Sequence, residues 1–270
     1  MAVELVLLGS FAIMIVIGIP ISFSLGISAL LSAYAAGMGP AIIAQRVAAS
    51  MQSFPLLAIP LFILAGSIMA RGGVAKRMVD FAYILVGPLP GGLAIVNCIE
   101  SMFFGGVSGS AVADVSSTGS IMIPMMVQKG YDRDFSVAVT VASASQGIII
   151  PPSHNMVIYA MVAGGVSVGK LFLAGYLPGI ALGVSLSIVC YFIALKRKYP
   201  CEKRPPLKEC VKISVDGVFA LLAALIIVVG IAAGIFTATE ASAVSVMYAA
   251  FLGFVIYREL KLRDLIPILM

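Results

Sequence analysis

Long apolar stretches separated by short charged segments run along almost the whole chain. A helix needs about 20 apolar residues to cross a bilayer, so stretches of this length predict membrane spans. The predicted segments are 5–36, 54–70, 91–127, 136–164, 170–195, 214–235 and 240–257. The first is too long for one upright helix, and Pro20 is expected to divide it into two short or tilted spans. The pattern therefore predicts an all-α polytopic membrane protein.

Glycine and proline interrupt two of these segments. Residues 103–110 read FFGGVSGS and residues 146–153 read QGIIIPPS. Gly and Pro break helical hydrogen bonding, and broken backbone at membrane depth is tolerated only where it is buried in protein or faces a wet cavity. Paired breaks of this kind point to the substrate and ion site of a secondary transporter. The alternative is a pair of packing kinks in a membrane scaffold that transports nothing.

The distribution of basic residues predicts which side of the membrane each loop occupies. Residues 196–212 contain seven Lys or Arg and residues 71–77 contain three, so both segments are expected to be cytoplasmic. If 136–164 crosses outward and 170–195 crosses back, the loop 128–134 is cytoplasmic too. Both ends of 91–127 then lie on one side, and this segment is predicted to be a re-entrant helical hairpin with its tip at the first break.

Composition excludes several classes of function. The chain has 270 residues, of which 61% are hydrophobic and 11% charged, whereas soluble domains are about 25% charged. The net charge of +5 comes from loop residues without interleaved aromatics, so no nucleic-acid partner is expected. Four cysteines without CxxC spacing predict neither a disulfide nor a zinc site. Nucleophile, metalloprotease and phosphate-loop motifs are absent, so we expect neither an enzyme nor an ATP-driven pump.

The first break supplies hydroxyl oxygens and amides. Gly105, Gly106 and Gly109 are expected to give the backbone conformations closed to other residues, and Ser108 and Ser110 add hydroxyls. The next helix is predicted to begin near Ser110, so its first amides present partial positive charge to an anion.

The second break is expected to expose carbonyl oxygens. Pro151 and Pro152 have no amide hydrogen, so the carbonyls of residues 147–150 lose helical partners. Carbonyl and hydroxyl oxygens suit a small cation such as Na⁺. A half-helix starting at Ser153 directs a second positive end at the same region, which predicts a joint site for Na⁺ and a carboxylate.

Four polar side chains near the breaks are candidates for function. Asp114 is the only carboxylate in the second arm of the hairpin, and an intramembrane acid is by default a functional hypothesis. The alternative is a structural role as the partner of a neighbouring amide or hydroxyl, a role that Glu100 on the first arm could also have. His154, the only histidine, and Asn155 begin the half-helix and are candidates to contact substrate, with packing as the alternative for His154.

Several blocks, in order along nearly the whole chain, resemble the large membrane subunit of TRAP (tripartite ATP-independent periplasmic) transporters. The blocks are FPLLAIPLF at 54–62, GVSGSAVAD at 106–114 followed by Gly119, Pro124 and KGY at 129–131, IPPS at 150–153, LFLAG at 171–175 and GIFTATE at 234–240. The resemblance implies an inverted-repeat, elevator-type transporter that takes up organic acid anions with a Na⁺ gradient. It implies a small four-span membrane subunit and a periplasmic substrate-binding protein as partners, in the bacterial inner membrane.

The resemblance also implies roles for individual residues. The Na⁺ site would consist of Ser108, Ser110, Gly147, Ile150 and Pro152, mostly through backbone oxygens. The residues implied to line the substrate cavity are Ser110, Asp114, Ser153, His154 and Asn155.

The chain departs from the family pattern in two places. Ala238 stands where the family usually has Pro, in a segment where Glu240 is expected to cap a helix with Thr239. The family's subunit is also much longer, so the second hairpin, second broken helix and second Na⁺ site are expected to be missing. The second repeat is then incomplete. The chain is expected to be a fragment or a truncated, inactive subunit, or the rest is supplied elsewhere, and alone it is not expected to transport.

These inferences predict five regions. They are scaffold spans at 1–80, the hairpin of the transport domain at 81–135, its broken helix and following span at 136–195, a cytoplasmic loop at 196–213, and scaffold spans opening the second repeat at 214–270. The leading function is that of a TRAP-type membrane subunit for dicarboxylates, sialic acid or similar anions. The alternatives are a non-transporting scaffold and a Na⁺/carboxylate symporter that needs no binding protein.

Overall fold

The computed structural model describes residues 2–52, 54–201 and 206–269, and over these ranges its regular elements are all helical. The side chains of Ala2, Val107, Leu207 and Leu269 lie outside the description. The chain forms two compact units, Met1–Ser53 and Phe54–Met270. The boundary between these units falls inside the segment 1–80 that was predicted to form one group of spans.

The first unit contains three helices, α1 (Ala2–Val16), α2 (Ile21–Ala35) and α3 (Pro40–Met51). Pro20 precedes α2, and α1 packs against α2, which confirms the predicted division of 5–36 at this proline. Both helices have 15 residues, fewer than the number that spans a bilayer upright. Helix α3 was not predicted, because its apolar positions are interrupted by Gln45 and Arg46.

The second unit contains eleven α-helices among its described residues. They are α4 (Ala58–Arg71), α5 (Val74–Val86), α6 (Gly92–Ser108), α7 (Ala111–Gln128), α8 (Arg133–Ala144), α9 (Gln146–Ile149), α10 (His154–Ala163), α11 (Val168–Arg197), α12 (Leu207–Ala232), α13 (Ala238–Phe251) and α14 (Leu265–Leu269). A 3₁₀ turn precedes α4 and a π-helical turn extends α13 to Ile256.

Within the described residues, four helical segments are long and apolar enough to cross a membrane. They are Phe54–Arg71, Val168–Arg197, Lys208–Ala232 and Ala238–Ile256, and they confirm four of the predicted spans. A fifth candidate is the bent pair formed by 133–149 and 154–163, whose two parts meet at 43°. The bend lies at the predicted proline break. Neither α6 nor α7 belongs to these candidates.

The segment 196–213, predicted as a loop, is partly helical. Helix α11 continues to Arg197, and α12 begins at Leu207 directly after Pro206. Residues 207–213 (LKECVKI) contain neither Gly nor Pro, so the helix continues through charged residues that hydropathy alone assigns to a loop. Residues 202–205 lie outside the described residues.

Helix α6 lies at the centre of the second unit, where it packs against α5, α7, α8, α9 and α11. Almost all of its side chains are buried, polar ones included, which is typical of a helix enclosed on every side. The unpredicted α5 has its buried residues at one helical face, from Val74 and Ala75 through Met78 and Val79 to Ala82. The central position of α6 fixes its C-terminal end, where the first break lies.

The start of α13 corrects one detail of the predicted cap. Thr237, rather than Thr239, occupies the cap position, and its hydroxyl accepts from the Glu240 amide while the Glu240 carboxylate accepts from the Thr237 amide at 2.8 Å. The Thr239 hydroxyl donates instead to the Phe54 carbonyl at 3.2 Å. The capping role of Glu240 is confirmed. Its partner differs because the helix begins at Ala238, two residues earlier than a cap at Thr239 would place it.

Glycines bring α6 and the second break into backbone contact. A Cβ atom at Gly105 would lie 2.7 Å from the Gly147 Cα, and one at Gly147 would lie 2.9 Å from the Gly105 Cα. Gly105 and Gly106 are themselves helical, since α6 continues to Ser108 and only Gly109 has a positive φ, of 63°. The expectation that all three glycines adopt special conformations is therefore wrong for Gly105 and Gly106, whose missing side chains serve close packing.

We expect Gly105→Ala to destabilise the second unit by about 1–3 kcal/mol, because the added methyl overlaps the Gly147 backbone. The chain contains no Trp, so unfolding is followed with a thiol-reactive dye in a Cys201→Ser/Cys210→Ser background, where the dye reports exposure of buried Cys98 and Cys190. Gly169→Ala is the control, since its Cβ would make only an ordinary contact of 3.4 Å. Equal midpoints for the two variants would contradict the packing argument.

Candidate functional site

The two predicted breaks meet in the structure. A Cβ at Gly109 would lie 2.9 Å from the Pro152 carbonyl oxygen and 3.1 Å from the Ser153 Cα, and one at Gly106 would lie 2.8 Å from the Ile150 side chain. The turn at Gly109, which connects α6 to α7, therefore packs directly against residues 150–153, which connect α9 to α10. Gly109 turns the chain at this point with a positive φ, which glycine adopts without steric penalty because it has no Cβ atom.

Two helix N-termini face this contact. Ser110 is the N-cap of α7, and its hydroxyl oxygen accepts from the Ala113 amide at 3.3 Å. Ser153 occupies the cap position of α10 and makes no side-chain cap bond; its hydroxyl is fully buried and has no hydrogen-bond partner within the described residues. The first amides of each helix lack intrahelical acceptors, so both ends carry partial positive charge. The arrangement favours an anion near the contact.

A cavity of about 550 Å³ adjoins the hairpin tip. One side is formed by residues of α4 and the other by the tip, the first turns of α7 and His154. Its polar lining residues are Ser67, Arg71, Ser108, Ser110, Ser116, Ser117 and His154. The Nδ1 atom of His154 is buried and has no hydrogen-bond partner within the described residues. The cavity thus combines hydroxyls, a guanidinium and an unsatisfied ring nitrogen.

The serine hydroxyls differ in what they can donate to a ligand. Ser116 and Ser117 donate to the carbonyls of Val112 and Ala113, each at 2.7 Å, so their protons are already engaged. The Ser110 oxygen accepts from an amide, which leaves its proton available for an anion. The Ser108 oxygen likewise accepts from the Ser110 amide at 3.5 Å, so both hydroxyls of the tip can donate to a ligand.

Two carboxyl groups lie buried beneath the tip and share one hydroxyl. The Thr118 hydroxyl oxygen Oγ1 lies 2.9 Å from Glu100 Oε1 and 3.0 Å from Asp114 Oδ1. Each of these three residues is at most 1% exposed. The other oxygens, Glu100 Oε2 and Asp114 Oδ2, have no partner within the described residues. A hydroxyl carries one proton and donates to one carboxyl at a time, so the second carboxyl needs a proton of its own or a nearby cation. Both acids thus have a neighbouring hydroxyl as partner, that of Thr118, as the structural alternative expects.

Most of the predicted ligand residues come together at this contact. Ser108 and Ser110 lie in the tip, and Gly147, Ile150 and Pro152 touch it as described above; Na⁺ binding by these five stays a prediction. Among the predicted substrate residues, Ser110 and His154 line the cavity, and Ser153 is buried beside the tip.

Two predicted substrate residues lie away from the cavity surface. Asp114 is fully buried and does not line the cavity. Asn155 is exposed and does not line it either. The helical turn at the start of α10 separates the side chain of Asn155 from that of His154, because consecutive residues of a helix do not share a face.

A buried polar chain between α6 and α8 was not predicted. The side-chain Nδ2 of Asn97 donates to the Thr140 hydroxyl at 2.7 Å, and the Ser143 hydroxyl donates to Asn97 Oδ1 at 3.2 Å. The Ser101 hydroxyl donates to the Ser143 hydroxyl oxygen at 3.2 Å. The i, i+4 spacing of Asn97 and Ser101 and the i, i+3 spacing of Thr140 and Ser143 were available in the sequence as a signal. These bonds connect the first arm of the hairpin to the broken helix.

We expect Thr118→Val to lower the free energy of unfolding by about 1–3 kcal/mol, because the isosteric side chain leaves buried carboxyl oxygens without a donor. Thr118→Ser keeps the hydroxyl and is the matched control. The dye assay described for Gly105 measures both variants. If the valine variant is as stable as the serine variant, the shared hydroxyl does not satisfy the two carboxyls.

Comparison with known proteins identifies the family. The profile described as "Tripartite ATP-independent periplasmic transporter, DctM component" matches residues 8–270. An uncharacterised protein of Salmonella typhimurium is 44% identical over 97% of this chain and 61% of its own length. The C4-dicarboxylate TRAP transporter large permease of Pseudomonas aeruginosa is 42% identical over 82% of this chain and 52% of its own.

A third relative has a different named substrate. The sialic acid TRAP transporter large permease of Vibrio cholerae is 40% identical over 93% of this chain and 59% of its own length. The chain thus spans about half to three fifths of these three proteins. The named relatives are transporter subunits, which confirms the expected resemblance and the expectation that the chain is not an enzyme. The chain is a multi-pass membrane protein that belongs to the DctM component family of TRAP transporters.

Proposed function

We propose that this chain is part of the large membrane subunit of a Na⁺-coupled transporter that imports organic acid anions across the bacterial inner membrane. The observation that carries the proposal is the contact of the two breaks, which brings the N-termini of α7 and α10 beside a cavity with hydroxyls and a guanidinium. Helix N-termini beside broken backbone suit a carboxylate together with a small cation. Relatives named for C4-dicarboxylates and sialic acid support the same substrate class.

The oxygens at the contact support a Na⁺ site. Pro152 brings its carbonyl against Gly109, and Ser108 and Ser110 supply hydroxyls at the same turn. In a continuous helix the Gly147 carbonyl would accept from residue 151, and Pro151 has no amide hydrogen to donate. This oxygen donor set fits a hard cation.

The partners proposed for the whole transporter follow from the family. They are a small four-span membrane subunit, a periplasmic binding protein that delivers the anion, and the lipid bilayer. The anion itself is proposed to be a carboxylate of the dicarboxylate or sialic acid type.

Coupling is tested by ligand-dependent stabilisation of the purified chain in detergent, with succinate as the anion. A ligand that binds only the folded state raises the free energy of unfolding by RT ln(1 + L/Kd), where L is its free concentration. We expect NaCl to raise the unfolding midpoint above that in choline chloride, and succinate to raise it further only when Na⁺ is present. Ser110→Ala is expected to reduce both increments, whereas Ser187→Ala, whose hydroxyl donates to a carbonyl within α11, leaves them unchanged. Equal succinate increments with and without Na⁺ would contradict coupling.

The re-entrant hairpin is tested by labelling single cysteines in a chain that lacks its four native ones. Lys76, in the first turn of α5, and Gln128, at the end of α7, are exposed, so cysteines placed there are expected to resist an impermeant maleimide in intact cells and to react after permeabilisation. Val166, in the loop after α10, is the control expected to react from outside. Labelling of positions 76 and 128 from opposite sides would exclude a hairpin that enters and returns.

A further inference from the structure

Arg71 lies where a ligand in the cavity would meet it. It is the last residue of α4, and it lines the cavity together with Ser108, Ser110 and His154 of the two breaks. Within the described residues it is the only Lys or Arg of the lining, and no Asp or Glu lines the cavity with it. In the sequence, position 71 counts only among the basic residues that orient the chain in the membrane.

The guanidinium of Arg71 is not used by the fold. Arg77 pairs with Glu259 at 2.9 Å and Arg197 pairs with Asp132 at 2.6 Å, so these two arginines have structural partners. Arg71 is exposed and has neither an ion pair nor a hydrogen bond to another described residue. An unpaired cation in a cavity without acids gives that cavity a positive potential, which attracts anions.

Other unsatisfied groups across the cavity complement Arg71. The Ser110 proton is available for donation, and His154 Nδ1 is buried without a partner. A carboxylate offers two oxygens, and guanidinium binds both in a bidentate geometry that lysine does not reproduce. A dicarboxylate has a second carboxylate for the amides at the start of α7.

We propose that Arg71 binds a carboxylate group of the transported anion, opposite Ser110 and the N-terminus of α7. This inference rests on the proposed function and adds a residue from α4, outside both breaks. The competing explanation is that Arg71 only stabilises the C-terminal end of α4 through its charge, as a basic residue in the last turn of a helix does.

Two substitutions separate these roles. Arg71→Gln removes the charge and keeps a planar polar group, whereas Arg71→Lys keeps the charge, and with it any effect on the helix end, but loses the bidentate geometry. Arg133→Gln is the matched control, since Arg133 is an arginine at the start of α8 that does not line this cavity.

The measurement is the dissociation constant of succinate in saturating NaCl, which is the concentration at which half of the protein binds it, obtained from how the unfolding midpoint rises with succinate concentration. We expect this concentration to rise about tenfold or more for Arg71→Gln, to rise less for Arg71→Lys, and to stay unchanged for Arg133→Gln. The increment caused by Na⁺ alone is expected to persist in each variant, which shows that the fold and the cation site are intact.

Three results count against the proposal, each in a different way. If wild type and Arg71→Gln respond to succinate within about twofold of each other, Arg71 does not contact the anion and the proposed function stands. If Arg71→Lys binds succinate at the same concentration as wild type, the positive charge alone is sufficient and the bidentate contact is excluded. If succinate has no effect on wild type with Na⁺, the inference and the proposed function both fail.

Discussion

The close approach of two backbones is the constraint on which the candidate site depends. Gly105 and Gly147 meet with less space between them than one methyl group requires, and Gly109 is seated against Pro152 and Ser153. Only glycine permits these distances, and the contact they allow brings the α7 and α10 N-termini to one place. If larger side chains stood at Gly105 in α6 and Gly147 in α9, these two helices would lie farther apart. The tip hydroxyls and the carbonyls of the second break would then no longer share a site.

Buried polar groups then fix how the contacting elements are aligned. The hydrogen bonds of Asn97, Thr140 and Ser143 join α6 to α8, and Thr118 joins the two hairpin arms through Glu100 and Asp114. An apolar interface tolerates small shifts, whereas a displaced buried hydrogen bond leaves an unsatisfied group at a free-energy penalty of about 1–3 kcal/mol. These bonds therefore hold the tip and the break at a defined relative position, which a binding site for a small ion requires.

The cavity beside the contact receives groups that are distant in sequence. Arg71 comes from α4, Ser110 and Ser117 from the hairpin, and His154 from the start of α10. Glu100 and Asp114 are buried and do not line the cavity, so its polar lining consists of hydroxyls, a guanidinium and an imidazole. A lining of this kind suits an anion, as the proposed transport requires.

The sequence by itself determined the spans, because a run of apolar residues of the right length suits the bilayer core. It also determined the break at Pro20, the start of α7 at Ser110 and the proline bend, because proline and a capping serine act on the local backbone. It also carried the family resemblance, since the motifs are contiguous. Only the tertiary structure decided that Gly105 packs on Gly147, that Thr118 bridges two carboxyls and that Arg71 faces the tip. These facts depend on which helices pack together. Helical periodicity indicates the face of the helix on which a residue lies, but not which other helix packs against that face.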